Sequence, residues 1–437
     1  MKLKRELGLF SITLYGIGVI LGAGIYALIA LGAGLAGNML WLAFLISAVI
    51  AIFTGLSYAE LSSMFPQEAA EYNYARRAFK MEWLSFAVGW VLAIGTVIAA
   101  ATVALGFGGY FSALTGVDVK VAALCLIGVM TVLNYLGIKE SAWFNIVSTL
   151  VEVGGLLIVI AVGLFTTPQV NADLLAMPVE GFAGILTAIS VIFFAYIGFE
   201  NVANLSEEVK NSRKTVPKAL VLALAISSVL YMLVAIAAIR EVGWEALSQS
   251  KAPLTLVVSR ALGQYASILS YIALFATANT VLMFLIVPSR ILYGMAEGKS
   301  LQGFFSSVGS RGTPYFSVAI VGCVAAFMAF ALDIKTVAQL ADLAVFIAYL
   351  VVNLALIALA STKTNSQNLS AVGNHQIYHA KIKREFTSPR VAGIPVLAWL
   401  GAFSAAFMLF HFGAGLWLME VGVLAVGFAL FMLNKKK

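Results

Sequence analysis

The sequence predicts an all-α polytopic membrane protein, and three observations predict it. Of 437 residues, 62% are hydrophobic and only 11% are charged, a balance foreign to soluble domains. Apolar runs of about 18 or more residues recur along the whole chain. The charges that remain collect in alternate connections between those runs.

The runs place helices at 8–35, 39–64, 82–110, 119–137, 141–165 and 182–205, then at 216–240, 266–295, 315–333, 336–361, 393–413 and 415–434, twelve transmembrane helices in all. The chain is read as one domain over 1–437, its first apolar run retained: that run is too long for a signal core, and no small-residue cleavage pattern follows it. With the N-terminus in the cytoplasm, 22 of the 27 Lys and Arg fall on the inner side. Only Lys120, Arg240, Lys251, Arg260 and Lys335 lie outside, so both termini are expected in the cytoplasm of a multi-pass protein of the cell membrane. The net charge of +7 therefore reports orientation, and nucleic acid is not expected as a partner.

Two polar stretches interrupt the pattern. Residues 67–80, with Tyr72, Tyr74, Arg76 and Arg77, predict an amphipathic helix at the inner interface. Residues 362–390 predict a cytoplasmic loop; its His375 and His379 are four apart but lack a third ligand, so no metal is expected. Cys125 and Cys323 lie in separate apolar runs and are read as small core residues.

The first run holds four glycines in nine residues, Gly16, Gly18, Gly22 and Gly24, each costing about 1 kcal/mol of helix stability relative to Ala. Close packing of the small-xxx-small kind explains Gly18 and Gly22; unwinding explains them equally. Five spans on comes Phe193-Phe194-Ala195-Tyr196-Ile197-Gly198-Phe199-Glu200-Asn201, where glycine, carboxylate and amide meet at membrane depth. Paired interruptions five spans apart mark two inverted five-helix repeats, 8–165 and 182–361, with discontinuous helices 1 and 6 and two additional C-terminal helices over 393–434. Unwinding at the first break frees the amides of Ala23, Gly24 and Ile25 for a carboxylate at a half-helix N-terminus. The carbonyls of Ile20, Phe194 and Ile197 then suit an ammonium group, and Gly22, Gly24 and Gly198 allow close approach of a ligand. An α-amino acid carries both groups.

These residues resemble the amino acid-polyamine-organocation transporters. The run Gly22-Ala23-Gly24-Ile25-Tyr26 is similar to the family's first-span motif, and Phe193 to Glu200 with Glu207-Glu208-Val209-Lys210-Asn211 and Pro217-Lys218-Ala219 to its sixth-span signature. Pro66 with Glu71-Tyr72-Asn73-Tyr74, Gly137-Ile138-Lys139-Glu140-Ser141, Ala252-Pro253-Leu254, Ser289-Arg290 and Tyr293-Gly294-Met295 extend the resemblance over the chain. It departs at Ala69-Ala70, where a Gly-Gly pair is frequent, and at Ser212, where a proline is. The resemblance implies the leucine-transporter-type fold, alternating access and amino acids as cargo, with the carboxylate at Ala23, Gly24 and Ile25, the amine at the Ile20, Phe194 and Ile197 carbonyls, and Phe194 as an aromatic lid.

An ionised carboxylate at bilayer depth costs on the order of 2.5 kcal/mol or more and needs a partner or a task. Glu200 follows the second break, where the matching acid in some relatives couples gating to protonation. Glu152 occupies a position that often carries lysine in similar sodium-independent transporters; its carboxyl would take up a proton or, ionised, help hold a cation. Asp342 is left between the outer vestibule and the interface, while Glu60, Glu420 and His411 are read as interfacial. The expected function is proton-coupled symport of a neutral or apolar amino acid, with H+ as coupling ion, Na+ also open, no cofactor, and a monomer or homodimer. An amino acid or polyamine exchanger and a substrate-sensing receptor are the alternatives; an enzyme is not expected, because no nucleophile-base set or phosphate loop is present.

Overall fold

The structure is a computed structural model that describes residues 7–67, 69–136, 141–168, 170, 172–206, 209–309, 313–361 and 384–435, with backbone alone at Ala23, 141–144 and 361. Outside the described residues lie Lys2, Lys4, Arg5, Lys139, Arg311, Lys363, Lys381, Lys383, Lys436, Lys437, both loop histidines, and the motif residues Gly137, Ile138, Glu140, Glu207 and Glu208.

The helices are α1 (Leu9–Ala36), α2 (Leu40–Met64), α3 (Ala70–Phe79), α4 (Glu82–Thr115), α5 (Val119–Leu136), α6 (Ser141–Phe165), α7 (Gly181–Ile192), α8 (Glu200–Asn204), α9 (Ser212–Gln249), α10 (Pro253–Leu262), α11 (Ser267–Glu297), α12 (Tyr315–Ala331), α13 (Ile334–Ser361), α14 (Val396–Leu409) and α15 (Ala414–Lys435). Among the described residues there is no strand beyond two isolated bridges. Nine segments among the same residues are long and apolar enough to cross a membrane; the first joins α1 and α2 over Leu9–Met64. The apolar helices α12 and α14 fall short of that length at 17 and 14 residues. In a bilayer every backbone polar group must be satisfied within the chain, which is why a sequence this apolar resolves into helices.

The core runs through α1, α4, α9, α11 and α13. Outward faces carry exposed Val129, Phe327, Phe330, Leu418 and Phe428, as expected where lipid is the solvent. Cys125 and Cys323 are exposed too, which corrects their reading as core residues: an apolar run in a membrane has a lipid face as well as a protein face. The amphipathic stretch forms α3, with Ala70, Glu71, Tyr74 and Ala75 buried on one side.

The first expected break is absent. Helix α1 runs uninterrupted through Gly16, Gly18, Gly22 and Gly24, because those glycines accommodate neighbours. A Cβ on Gly16 would lie 2.8 Å from Val202 and 2.9 Å from Ala223; one on Gly18 would strike Thr149, and one on Gly24 the backbone of Ala195. Tertiary contact thus offsets the propensity cost of the glycines, and packing is the outcome between the two readings. The sixth span is discontinuous: α7 stops at Ile192, a tight 3-10 turn spans Phe193–Tyr196, and α8 restarts at Glu200.

Glu60 departs from its interfacial reading. It is fully buried near the end of α2, where Oε1 accepts from Arg390 Nη2 at 2.6 Å and Arg384 Nη1 at 3.4 Å. Its Oε2 accepts from the Ser388 amide at 3.0 Å and hydroxyl at 2.6 Å. Residues 384–390, expected to be loop, are therefore strapped to the bundle. Glu420 is buried as well, with neither oxygen hydrogen-bonded, whereas His411 is exposed and its ring packs on Phe407. Arg390→Ala removes the shorter of the two arginine contacts and leaves Glu60 with Arg384 and Ser388, so it should destabilise the fold by roughly 2 kcal/mol, read as a lowered melting temperature in detergent. Glu60→Gln, which keeps hydrogen bonding to Ser388, should cost less.

Candidate functional site

The site is built on the interruption between α7 and α8. Ile197 is extended, with φ −61° and ψ 136°, and Gly198 follows at φ +117°, a region that side chains rarely enter. A Cβ there would also sit 2.5 Å from Val19 on α1. Backbone conformation and contact together require glycine. The chain then doubles back: both Glu200 carboxylate oxygens accept the Gly198 amide, at 3.1 and 3.0 Å, and Oε2 accepts the Tyr349 hydroxyl at 2.8 Å. Glu200 thereby fastens the break to α13.

Two of the three expected carbonyl acceptors are taken. The Phe194 carbonyl accepts the Ile197 amide at 3.1 Å. The Tyr231 hydroxyl of α9 faces both the Ile20 carbonyl at 2.6 Å and the Ala195 carbonyl at 2.9 Å, tying α1 to the break. With α1 continuous, the amides of Ala23, Gly24 and Ile25 lie inside a helix rather than at a half-helix N-terminus, which corrects the anion-site geometry expected for them. Gly24 meets Ala195, and buried Ile25 joins the core. Aromatic rings close the region: Phe193 lies 4.3 Å from Phe346 and Tyr196 5.3 Å from Tyr231, centroid to centroid.

Glu152 on α6 sits on the other side of α1. A Cβ on Gly22 would be 3.2 Å from its Oε1, 3.1 Å from the Ala276 carbonyl, and in collision with Thr280 Oγ1. Three oxygens from α6 and α11 therefore converge where α1 has no side chain. Glu152 is 1% exposed and its Oε1 has no hydrogen-bond partner. Such a group needs a proton or a cation. Asp342 on α13 is fully buried with both oxygens unpartnered; it faces the backbone at Phe194, so it belongs beside the break rather than at the interface. Among the described residues no group of three His, Cys, Asp or Glu is placed to hold a metal.

Several residues around the site carry no sequence signal of their own. Tyr231 and Tyr349 are single hydroxyls in apolar runs, and Asn204 sits in no motif. The best available clue is polarity at membrane depth, which marks Thr149, Thr280 and Asn353 as well. Glu71 lies in the motif that follows α2, where sequence alone gives it no role. Its carboxylate accepts the Asn204 amide at 3.4 Å on each oxygen, and the Ala70 amide donates to Asn204 Oδ1 at 2.8 Å.

A many-helix apolar bundle around a broken, buried helix, with carboxyls facing the break, is an architecture found in many secondary transporters. The profile of the amino acid permease family matches residues 7–433, and the chain belongs to that family, within the amino acid-polyamine-organocation superfamily. It is 28% identical to the branched-chain amino acid permease BcaP of Bacillus subtilis and 30% identical to the methylthioribose transporter of the same organism, each match covering all of this chain and 94% of the relative. It is also 30% identical to the vacuolar cationic amino acid transporter 4 of Arabidopsis thaliana, over 85% of this chain and 66% of that one.

Two outcomes test the geometry. Gly198→Ala should lower stability by roughly 1–3 kcal/mol, as measured by melting, while Gly154→Ala, with nothing within 4 Å of the added carbon, should not. Burial is the largest influence on Glu71 and pushes its carboxyl from 4.5 up to about 7. The folded chain keeps that proton where the unfolded chain has lost it, so the stabilisation is present below pH 4.5 and fades as pH rises to about 7. Glu71→Gln should flatten the melting profile across that window.

Proposed function

We propose that the chain is a proton-coupled symporter that carries a neutral, apolar amino acid across the cell membrane by alternating access. The observation that carries this reading is Glu152: a buried carboxyl whose Oε1 has no hydrogen-bond partner, at the point where Gly22 brings α1 against α6 and α11. The proton satisfies the carboxyl electrostatically when it binds, and its loss leaves a charge that the closed packing cannot tolerate. Glu200, tied to the break, is the second coupling candidate. Substrate binds at the break, between α1 at Ile20 to Ile25 and the turn at Phe194, Ile197 and Gly198, where the surroundings are aromatic and aliphatic. A branched-chain permease among the relatives agrees with an apolar cargo.

The architecture proposed with it counts α12 and α14 as spans and separates α1 from α2, giving twelve. Spans over 8–165 and 182–361 form two inverted repeats, the last two helices lie outside them, and both termini face the cytoplasm, a reading supported by the distribution of Lys and Arg. Rocking of one group of helices against the other exposes the site to each side in turn.

Purified protein in empty proteoliposomes should accumulate labelled leucine when the outside is made acidic, with no sodium present. Uptake that requires internal amino acid would identify an exchanger instead, and binding without flux a sensor. Glu152→Gln should keep substrate binding and abolish the response to the pH gradient; a retained response would remove Glu152 from the coupling role.

A further inference from the structure

A second group of ionisable residues lies away from Glu152, where α2, α8 and α13 meet the short helix α3. Glu200 is joined to Tyr349 through the 2.8 Å hydrogen bond. Asn204, one turn further along α8, donates to Glu71 on α3 and, at 3.4 Å, to the Glu200 carbonyl. The Tyr58 ring of α2 stands 5.8 Å from Tyr349 and 6.2 Å from Tyr74, and its hydroxyl has no hydrogen bond although it is within electrostatic reach of both Glu71 and Glu200. Asn353 extends the polar zone behind Tyr349, bonding Thr54 and Ser57. Every member except Asn204 is buried.

The groups that face Glu71 are thus Tyr58 from α2, Glu200 and Asn204 from α8, Tyr349 from α13 and Tyr74 from its own helix. Helix α4 also packs on α3, but its one charged residue, Glu82, pairs with Lys435. No cation neutralises Glu71 among these groups. Two carboxyls that share a buried pocket do not both ionise readily. Glu200 accepts from the Gly198 amide and the Tyr349 hydroxyl, and Glu71 accepts from the Asn204 amide, so each carboxyl has a donor that supports its ionised form. Its first-turn neighbours Tyr72 and Asn73 are part-exposed, which puts Glu71 at the edge between the buried group and solution.

We propose that Glu71 is the carboxyl through which the transport cycle passes its proton to solution on the α3 side, receiving it from Glu200. The step balances simply. Glu71 loses its proton to water; the carboxylate so formed takes the Tyr58 hydroxyl proton as Tyr58 takes the one held by Glu200. The phenol is restored, Glu71 is reloaded, Glu200 is left ionised, and one proton has passed from Glu200 to solution on the α3 side. Tyr58 is placed for this because its hydroxyl is committed to no other partner. The inference rests on proton coupling, as proposed above, and adds an exit that neither Glu152 nor the substrate contacts supply.

The test uses full-length protein in proteoliposomes with a trapped pH dye. Amino acid-driven proton movement and labelled counterflow at equal pH are measured on the same vesicles. In Glu71→Gln, proton movement should fall about a hundredfold, the scale of a lost proton-transfer group, while counterflow stays within about twofold, because a structural defect would lower both together. Glu71→Asp should restore proton movement. Equal proton movement in Glu71→Gln and the unaltered protein overturns the proposal. Absence of proton movement in the unaltered protein overturns the symport reading instead, and with it this exit. If Glu71→Gln does not fold, Asn204→Ala decides: losing the amide that supports the ionised form should move the pH profile of transport upward, and an unmoved profile overturns the role.

Discussion

The tightest constraint in the molecule is the approach of α1 to the interrupted sixth span. Gly24 touches Ala195, Gly16 touches Val202, and Val19 leaves no room for a side chain at Gly198. Everything around the site depends on that contact. It forces glycine at positions that cost helix stability, sets the turn that aims Glu200 back at the Gly198 amide, and brings Tyr231 within reach of carbonyls from both segments. A glycine-lined contact also has little side-chain interlock.

Charge is handled in three different ways inside the bundle. Glu60 is neutralised by two arginines and accepts hydrogen bonds from a serine, and it closes the strap of residues 384–390 over one end. Glu200 is satisfied by uncharged donors and serves the geometry of the break. Glu152 Oε1 and both Asp342 carboxylate oxygens are buried without hydrogen-bond partners. Local structure accounts for the placement of the first two, since each stabilises a specific junction. The unpartnered groups cost stability in the state described, and an ionisable residue left so at membrane depth marks a candidate functional site.

How much is legible in the sequence differs by feature. The sixth-span break can be read from Gly198 beside Glu200 and Asn201, because a glycine and two polar groups at membrane depth are tolerated where the backbone leaves the helix and needs local donors and acceptors. The same reasoning applied to Gly16 through Gly24 misjudges α1: glycine lowers helix stability whether or not the helix unwinds, and only the neighbours Thr149, Ala195 and Thr280 tell the cases apart. Cys125 and Cys323 fail for a similar reason, as hydrophobicity in a membrane does not distinguish the protein face from the lipid face. The Glu60 cluster joins residues more than three hundred positions apart, beyond any local pattern.

By itself the sequence determined that this is a helical membrane protein of the amino acid permease family, that an amphipathic helix lies within residues 67–80, and that the sixth span is interrupted. These follow from composition, periodicity and local backbone chemistry, which act over a few residues. Only the tertiary structure decided that α1 stays whole, that Glu200 is fastened while Glu152 is left open, and that Glu71 joins the interior through Asn204. Those outcomes depend on which distant side chain fills each gap, and the low dielectric of the interior makes the presence or absence of one donor decisive.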